Sequence, residues 1–115
     1  MLALRELVPN WTVEDQSGAA HRVWDYRQKA HLALIYDPTA SSQTRERWQA
    51  AIQTDKKQWE WLQTTLLVVR KAPEEMSPGV YLIDRYGHLL SYFSLDHWNF
   101  DILEKELIYY EARHC

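Results

Sequence analysis

Ser77-Pro78-Gly79-Val80-Tyr81-Leu82-Ile83-Asp84-Arg85-Tyr86-Gly87 is the stretch on which the fold turns. A proline leads into a short apolar run, the run ends at an aspartate, and a turn containing glycine follows. An uninterrupted apolar run of this length reads as a strand buried on both faces. The chain holds two more of the kind, Leu32 to Tyr36 behind His31, and Leu66 to Val69. After the Arg85-Tyr86-Gly87-His88 turn, Leu89 to Ser94 reads as an antiparallel return strand.

Working outward, Asp37-Pro38 stops the first of these strands, and Thr39-Ala40-Ser41-Ser42 supplies helix-capping residue types. A helix is predicted from about Gln43 to about Gln63. Trp48, Ile52, Trp59 and Leu62 share one side of it, with Ala51 beside them and a weak point at Thr54-Asp55. The closing helix is predicted from His97 to about Arg113. Its apolar set is Trp98, Ile102, Leu103, Leu107 and Ile108, with Phe100 near the same seam. Upstream, Leu2 to Leu7 suggests one turn of helix ended by Pro9. Trp11 to Asp15 and His21 to Trp24 suggest a hairpin about Gln16-Ser17-Gly18. The segment from Lys71 to Ser77 is too short for a packed helix.

The order is hairpin, strand, helix, strand, strand, strand, helix. It implies an α/β fold with a mixed central sheet and flanking helices, in a single domain over residues 1–115. A chain of 115 residues suffices for one core. A net charge of -3 argues against a nucleic-acid footprint. No apolar run approaches the ~18 residues of a membrane span, so no membrane partner is expected. Met1-Leu2-Ala3-Leu4-Arg5-Glu6-Leu7 does not have the plan of a signal peptide. The one cysteine, Cys115, excludes an internal disulfide and a cysteine metal cluster. These features together suggest a cytoplasmic protein. Six tryptophans and seven tyrosines are a heavy aromatic load, for filling a core or for a partner surface.

Taken in order, these segments carry a family likeness. The chain resembles the thioredoxin-like superfamily, in particular its redoxin branch of peroxiredoxins and TlpA-like thiol-disulfide proteins. Val8-Pro9-Asn10-Trp11-Thr12-Val13-Glu14-Asp15-Gln16-Ser17-Gly18 is similar to that branch's opening, Val23 to Lys29 to its next segment, and Leu32 to Tyr36 to the strand before the active site. Pro78 to Asp84 resembles the strand that follows the family's cis-proline. The resemblance therefore implies a thioredoxin-like fold with a cis bond before Pro78, and with the helix that precedes this strand deleted.

The departures from the family pattern bear on function. The catalytic Cys-x-x-Cys of the TlpA-like pattern falls on Ser41 and Thr44, and a peroxidatic cysteine would fall near Thr44 or Arg45. A thiolate attacks disulfides and peroxides, and a serine hydroxyl does not. The late-strand acid of thioredoxins corresponds to Ile35, and the arginine of peroxiredoxins is replaced at or near Pro78. The resemblance thus implies a redox-inactive protein, with Ser41 and Thr44 as degenerate active-site positions and a peptide groove at Met76, Ser77 and Pro78.

The plain reading of Ser41 and Ser42 is helix capping. A hydrolytic role for Ser41 would need a base and an oxyanion hole, and the spacing of His21, His31 and His88 supports no triad. The five histidines lack metal-ligand spacing, so neither a metal nor a cofactor is expected. Cys115 reads as an exposed bystander thiol, with intermolecular pairing as the alternative. Three functions stay open: a binding or scaffold module for a protein or peptide, an enzyme with non-thiol chemistry around Ser41 and Thr44, and a structural homodimer subunit.

Overall fold

The computed structural model describes residues 2–113. In chain order it holds β1 (Thr12–Asp15), β2 (Ala20–Arg22), a single 3-10 turn (Val23–Tyr26), β3 (His31–Tyr36), α1 (Ser42–Thr54) and α2 (Lys56–Trp61). Then follow β4 (Thr64–Lys71), β5 (Gly79–Ile83), β6 (Leu89–Phe93) and α3 (Phe100–Arg113). The six strands form one sheet in the order β2-β1-β4-β3-β5-β6. Only β3 and β4 run parallel, joined through α1 and α2, and every other pair is antiparallel. This is the mixed sheet expected from the sequence.

The three apolar runs are β3, β4 and β5, which lie side by side within the sheet and are covered on both faces. Side chains alternate between the faces. Ala33, Ile35, Leu66, Val80 and Leu82 face the helices and meet Trp59, Leu62, Leu103 and Leu107. Leu32, Leu34, Leu67, Val69, Tyr81 and Ile83 face the other way and meet Val8, Trp11, Val13, Val23 and Met76. Each fully buried Leu or Ile here contributes roughly 1.5–3 kcal/mol relative to exposure.

The α-helices all pack on one face of the sheet. The opposite face is covered by the N-terminal segment, the 3-10 turn and the β4–β5 connection. That connection is a tight turn, with the Met76 N–H donating to Pro73 O at 3.0 Å, in place of a helix.

Four expectations are corrected. Residues 2–7 form an arm bent by a tight turn, not a helical turn: the Glu6 N–H donates to Ala3 O at 3.1 Å, with Arg5 at φ 71°. The arm runs along the start of β6, where Leu7 bridges His88 and the Leu89 N–H donates to Glu6 O at 2.9 Å. The Ser77–Pro78 bond is trans, since no described peptide bond is cis. Gly79, at φ +148°, redirects the chain into β5 after the short turn, and Tyr92 lies against it. Met76 is buried in the core and so offers no groove surface. On α3, Leu103, Leu107 and Tyr110 point inward, and Ile108 is 42% exposed. The weak point at Thr54-Asp55 is a true break, with Asp55 ending α1 at φ -102° and ψ 25°.

Candidate functional site

Tyr36 pairs with Gly79 across β3 and β5. The Asp37–Ser41 turn and the Ser77–Pro78 segment therefore leave the sheet at the same end. Ser41 is the N-cap of α1. Its Oγ accepts from the Thr44 N–H and donates to Thr44 Oγ1, both at 3.1 Å. Both hydroxyls are thus spent on closing the first helical turn. Among the described residues no histidine bonds to either hydroxyl. Arg45 ties this turn to its surroundings, donating to Ala40 O at 2.6 Å and to Gln16 Oε1 at 2.7 Å.

Ser77 and Pro78 are exposed, and their carbonyls accept hydroxyl protons. Tyr81 Oη donates to Ser77 O at 2.6 Å, and Tyr92 Oη donates to Pro78 O. Burial, with Tyr92 nearby, pushes the Tyr81 phenol up to about 12, so it stays protonated as this donor. Behind Ser77 lies a small cavity of about 60 Å³, walled by Trp11, Tyr81 and Tyr92 with Glu75 in its lining. Ser41 is not part of that lining. Cys115 lies outside the described residues.

Two polar clusters stand apart from these positions, one joining distant segments and one local. The first links β3, the β5–β6 turn and α3. The ring of His31 is fully buried, with Tyr110 edge-on at 5.3 Å. Glu111 Oε1 lies 2.6 Å from His31 Nε2 and 2.5 Å from Arg85 Nη2. An ionised carboxylate only accepts, so both nitrogens donate to this oxygen. That explains why they lie 3.1 Å apart. His31 Nδ1 is buried without a partner among the described residues.

Burial, reinforced by the charge of Arg85, holds His31 below its usual value against the opposing bond to Glu111. Burial acts to raise Glu111, but the hydrogen bond from His31 and the charge of Arg85 outweigh it and leave this carboxyl lowered. The two directions agree on a neutral imidazole donating to a carboxylate. His31 is charge-capable yet heads an apolar run. Its partner is 80 residues away, which is why spacing along the chain did not find it.

The second cluster staples the hairpin. His21 Nε2 lies 2.6 Å from Asp15 Oδ2, and His21 Nδ1 lies 2.8 Å from Tyr26 Oη. Asp15 Oδ1 also accepts from Ser17 N–H, Ser17 Oγ and Ala19 N–H. Burial pulls the Asp15 carboxyl upward, and these bonds outweigh it, taking the group down to about 2. All of these partners lie within residues 15–26, so the cluster reads as local scaffolding.

Among the described residues no group of three or more His, Cys, Asp or Glu is placed to hold a metal ion. No helix among them is long and apolar enough to cross a membrane. No protein-family model matches the chain, and no curated protein sequence matches it.

Solved structures do match. Peroxidoxin BcpB from Mycobacterium tuberculosis is 12% identical, with a TM-score of 0.68 over 97% of this chain and 98% of that one. A yeast mitochondrial 1-Cys peroxiredoxin is 11% identical, with a TM-score of 0.73 over 97% of this chain and 78% of that one. A protein disulfide isomerase homologue from Bacteroides thetaiotaomicron is 12% identical, with a TM-score of 0.62 over 96% and 89%. At such identities the likeness is one of fold.

Proposed function

We propose that this chain, a thioredoxin-like redoxin fold with a single cysteine, is a redox-inactive module that binds an extended peptide or protein segment beside Ser77 and Pro78. The observation that supports it is the fate of Ser41. At the position that the resemblance assigns to the reactive thiol stands a hydroxyl committed to capping α1 through Thr44. The Ser77–Pro78 segment stays exposed at the same end of the sheet, fixed from below by Tyr81 and Tyr92. The proposal includes a cytoplasmic site of action, where a lone cysteine fits the reducing surroundings.

The test has two arms. Insulin reduction and peroxide consumption are expected to be blank in the native protein and in Cys115→Ser. Turnover that survives Cys115→Ser would overturn the redox-inactive reading. A peptide library screened against the native protein and against Ser77→Trp should give binders that the variant loses. Binders unaffected by Ser77→Trp would place recognition elsewhere.

A second reading, assembly into a homodimer, is favoured by a different observation. Trp61 is 73% exposed and lines, with Ile108, a groove of about 450 Å³ between the ends of α2 and α3. Sedimentation of the native protein and of Trp61→Ser tests it. A dimer lost in the variant supports assembly, and a monomer in both excludes it.

A further inference from the structure

The cavity behind Ser77 combines aromatic walls with a carboxylate. Trp11 and Tyr81 meet edge-to-face at 5.5 Å and 79°, and Tyr81 and Tyr92 at 5.0 Å and 64°. The three rings, together with Leu2 and Leu89, wall one small space. Both phenols donate their protons to backbone carbonyls, which leaves their rings electron-rich. Glu75 sits in the lining on an exposed turn, and among the described residues it forms no ion pair. No lysine or arginine lines the cavity.

Aromatic faces attract cations through their quadrupole, most strongly where water is excluded. An adjacent carboxylate adds charge complementarity. The size is also suitable. About 60 Å³ gives room for roughly four water-sized groups, which is what the carbons around a substituted ammonium nitrogen need. A carboxylate or phosphate ligand would meet Glu75 and is disfavoured.

We propose that this cavity receives the ammonium head of a lysine side chain, free or methylated, on the peptide that lies along Ser77 and Pro78. The inference rests on the peptide-binding reading above, and it names the side chain that this site selects. Ser77 belongs to both the cavity lining and the exposed segment, so one residue of an extended peptide reaches inward while its backbone stays outside.

The experiment titrates the full chain with three capped tripeptides, Ala-Lys-Ala, its trimethyl-lysine form and its neutral norleucine form. The readout is the indole N–H resonance of Trp11. The two cationic peptides should bind about thirtyfold more tightly than norleucine, the size of one desolvated cation–aromatic contact. Glu75→Gln, an exposed change that leaves the core untouched, should shrink that preference. Tyr92→Phe should keep it and Tyr92→Leu should lose it.

Norleucine binding as tightly as lysine overturns the inference while leaving peptide binding intact. Choline shifting the resonance when no lysine peptide does would assign the cavity to a small solute and overturns the lysine source. No shift with any probe overturns it outright. A failure of the peptide-binding reading is recognised separately, by library binders that ignore Ser77→Trp.

Discussion

Replacing His31 and Glu111 in turn by leucine should give unequal costs. Glu111→Leu strands a fully buried imidazole N–H and removes the carboxylate from Arg85. Hydrogen bonds to a charged group contribute about 1.5–3 kcal/mol each. Glu111 and Arg85 are 35% and 30% exposed, so water replaces much of their mutual attraction. The expected net loss is about 2–3 kcal/mol. His31→Leu gives up one bond to Glu111 but also removes the orphaned Nδ1, and Arg85 keeps its partner. These effects offset to within about 1 kcal/mol.

The pH profile adds a second signature. The folded-state value of His31 is depressed below 6.5, so the unfolded chain takes up the proton first. The stability linked to His31 is therefore fully present above 6.5 and is lost as pH falls through the lower folded value. A single proton changes stability by at most ~1.4 kcal/mol for each pH unit, so between pH 6.5 and about 5 the loss stays within about 2 kcal/mol. Glu111 contributes in a separate window, beginning below 4.5. Urea unfolding of the native protein and both variants, from pH 7.5 to 5, reads all of this. A His31→Leu profile parallel to the native one, or a Glu111→Leu cost no larger than that of His31→Leu, would refute the reasoning.

Three further outcomes are expected. Ser41→Ala should cost about 1 kcal/mol in thermal unfolding, and Ser41→Asp, which also caps, should restore it. Gly79→Ala should cost more than about 2 kcal/mol, because a Cβ there would meet Tyr92 ring atoms at 2.5 Å and the φ of +148° excludes it in any case. Its urea midpoint should recover only in part when combined with Tyr92→Ala. Asp15→Asn should lose about 1–2 kcal/mol at neutral pH, allowing for partial exposure. The native contribution of Asp15 is present above 3.8 and disappears as pH falls toward 2, so the two proteins' unfolding curves should converge in acid.

The central strands were legible because burial on both faces leaves one unmistakable mark, an unbroken apolar run. The break at Asp55 was legible because Thr54-Asp55 interrupts a strong apolar stripe with two poor helix formers. The capping role of Ser41 was equally local. Contacts across the chain were not legible. Tyr110, not Ile108, takes the inward position on α3, with its ring against the imidazole of His31, and nothing near either residue announces the other. Met76 looked like groove surface while its side chain fills the space under a turn that replaces a helix. Of the three rings around the cavity beside Glu75, Tyr81 and Tyr92 come from the neighbouring strands β5 and β6, whereas Trp11 precedes β1, which two strands separate from β5, and reaches them across the face of the sheet.

The N-terminal arm has a kinetic consequence. Val8 N–H donates to Gly87 O at 2.9 Å, and Arg5 N–H to Leu89 O at 2.7 Å. These pairings join segments some eighty positions apart and need β5 and β6 already formed, so the arm docks late in folding. Until it does, the start of β6 is an open edge that a second unfolded chain could pair with as readily as the arm does. Aggregation during refolding should therefore be governed by the docking of residues 5–8. A synthetic peptide with the sequence of the arm, added in excess, should suppress it without changing the stability of the finished fold.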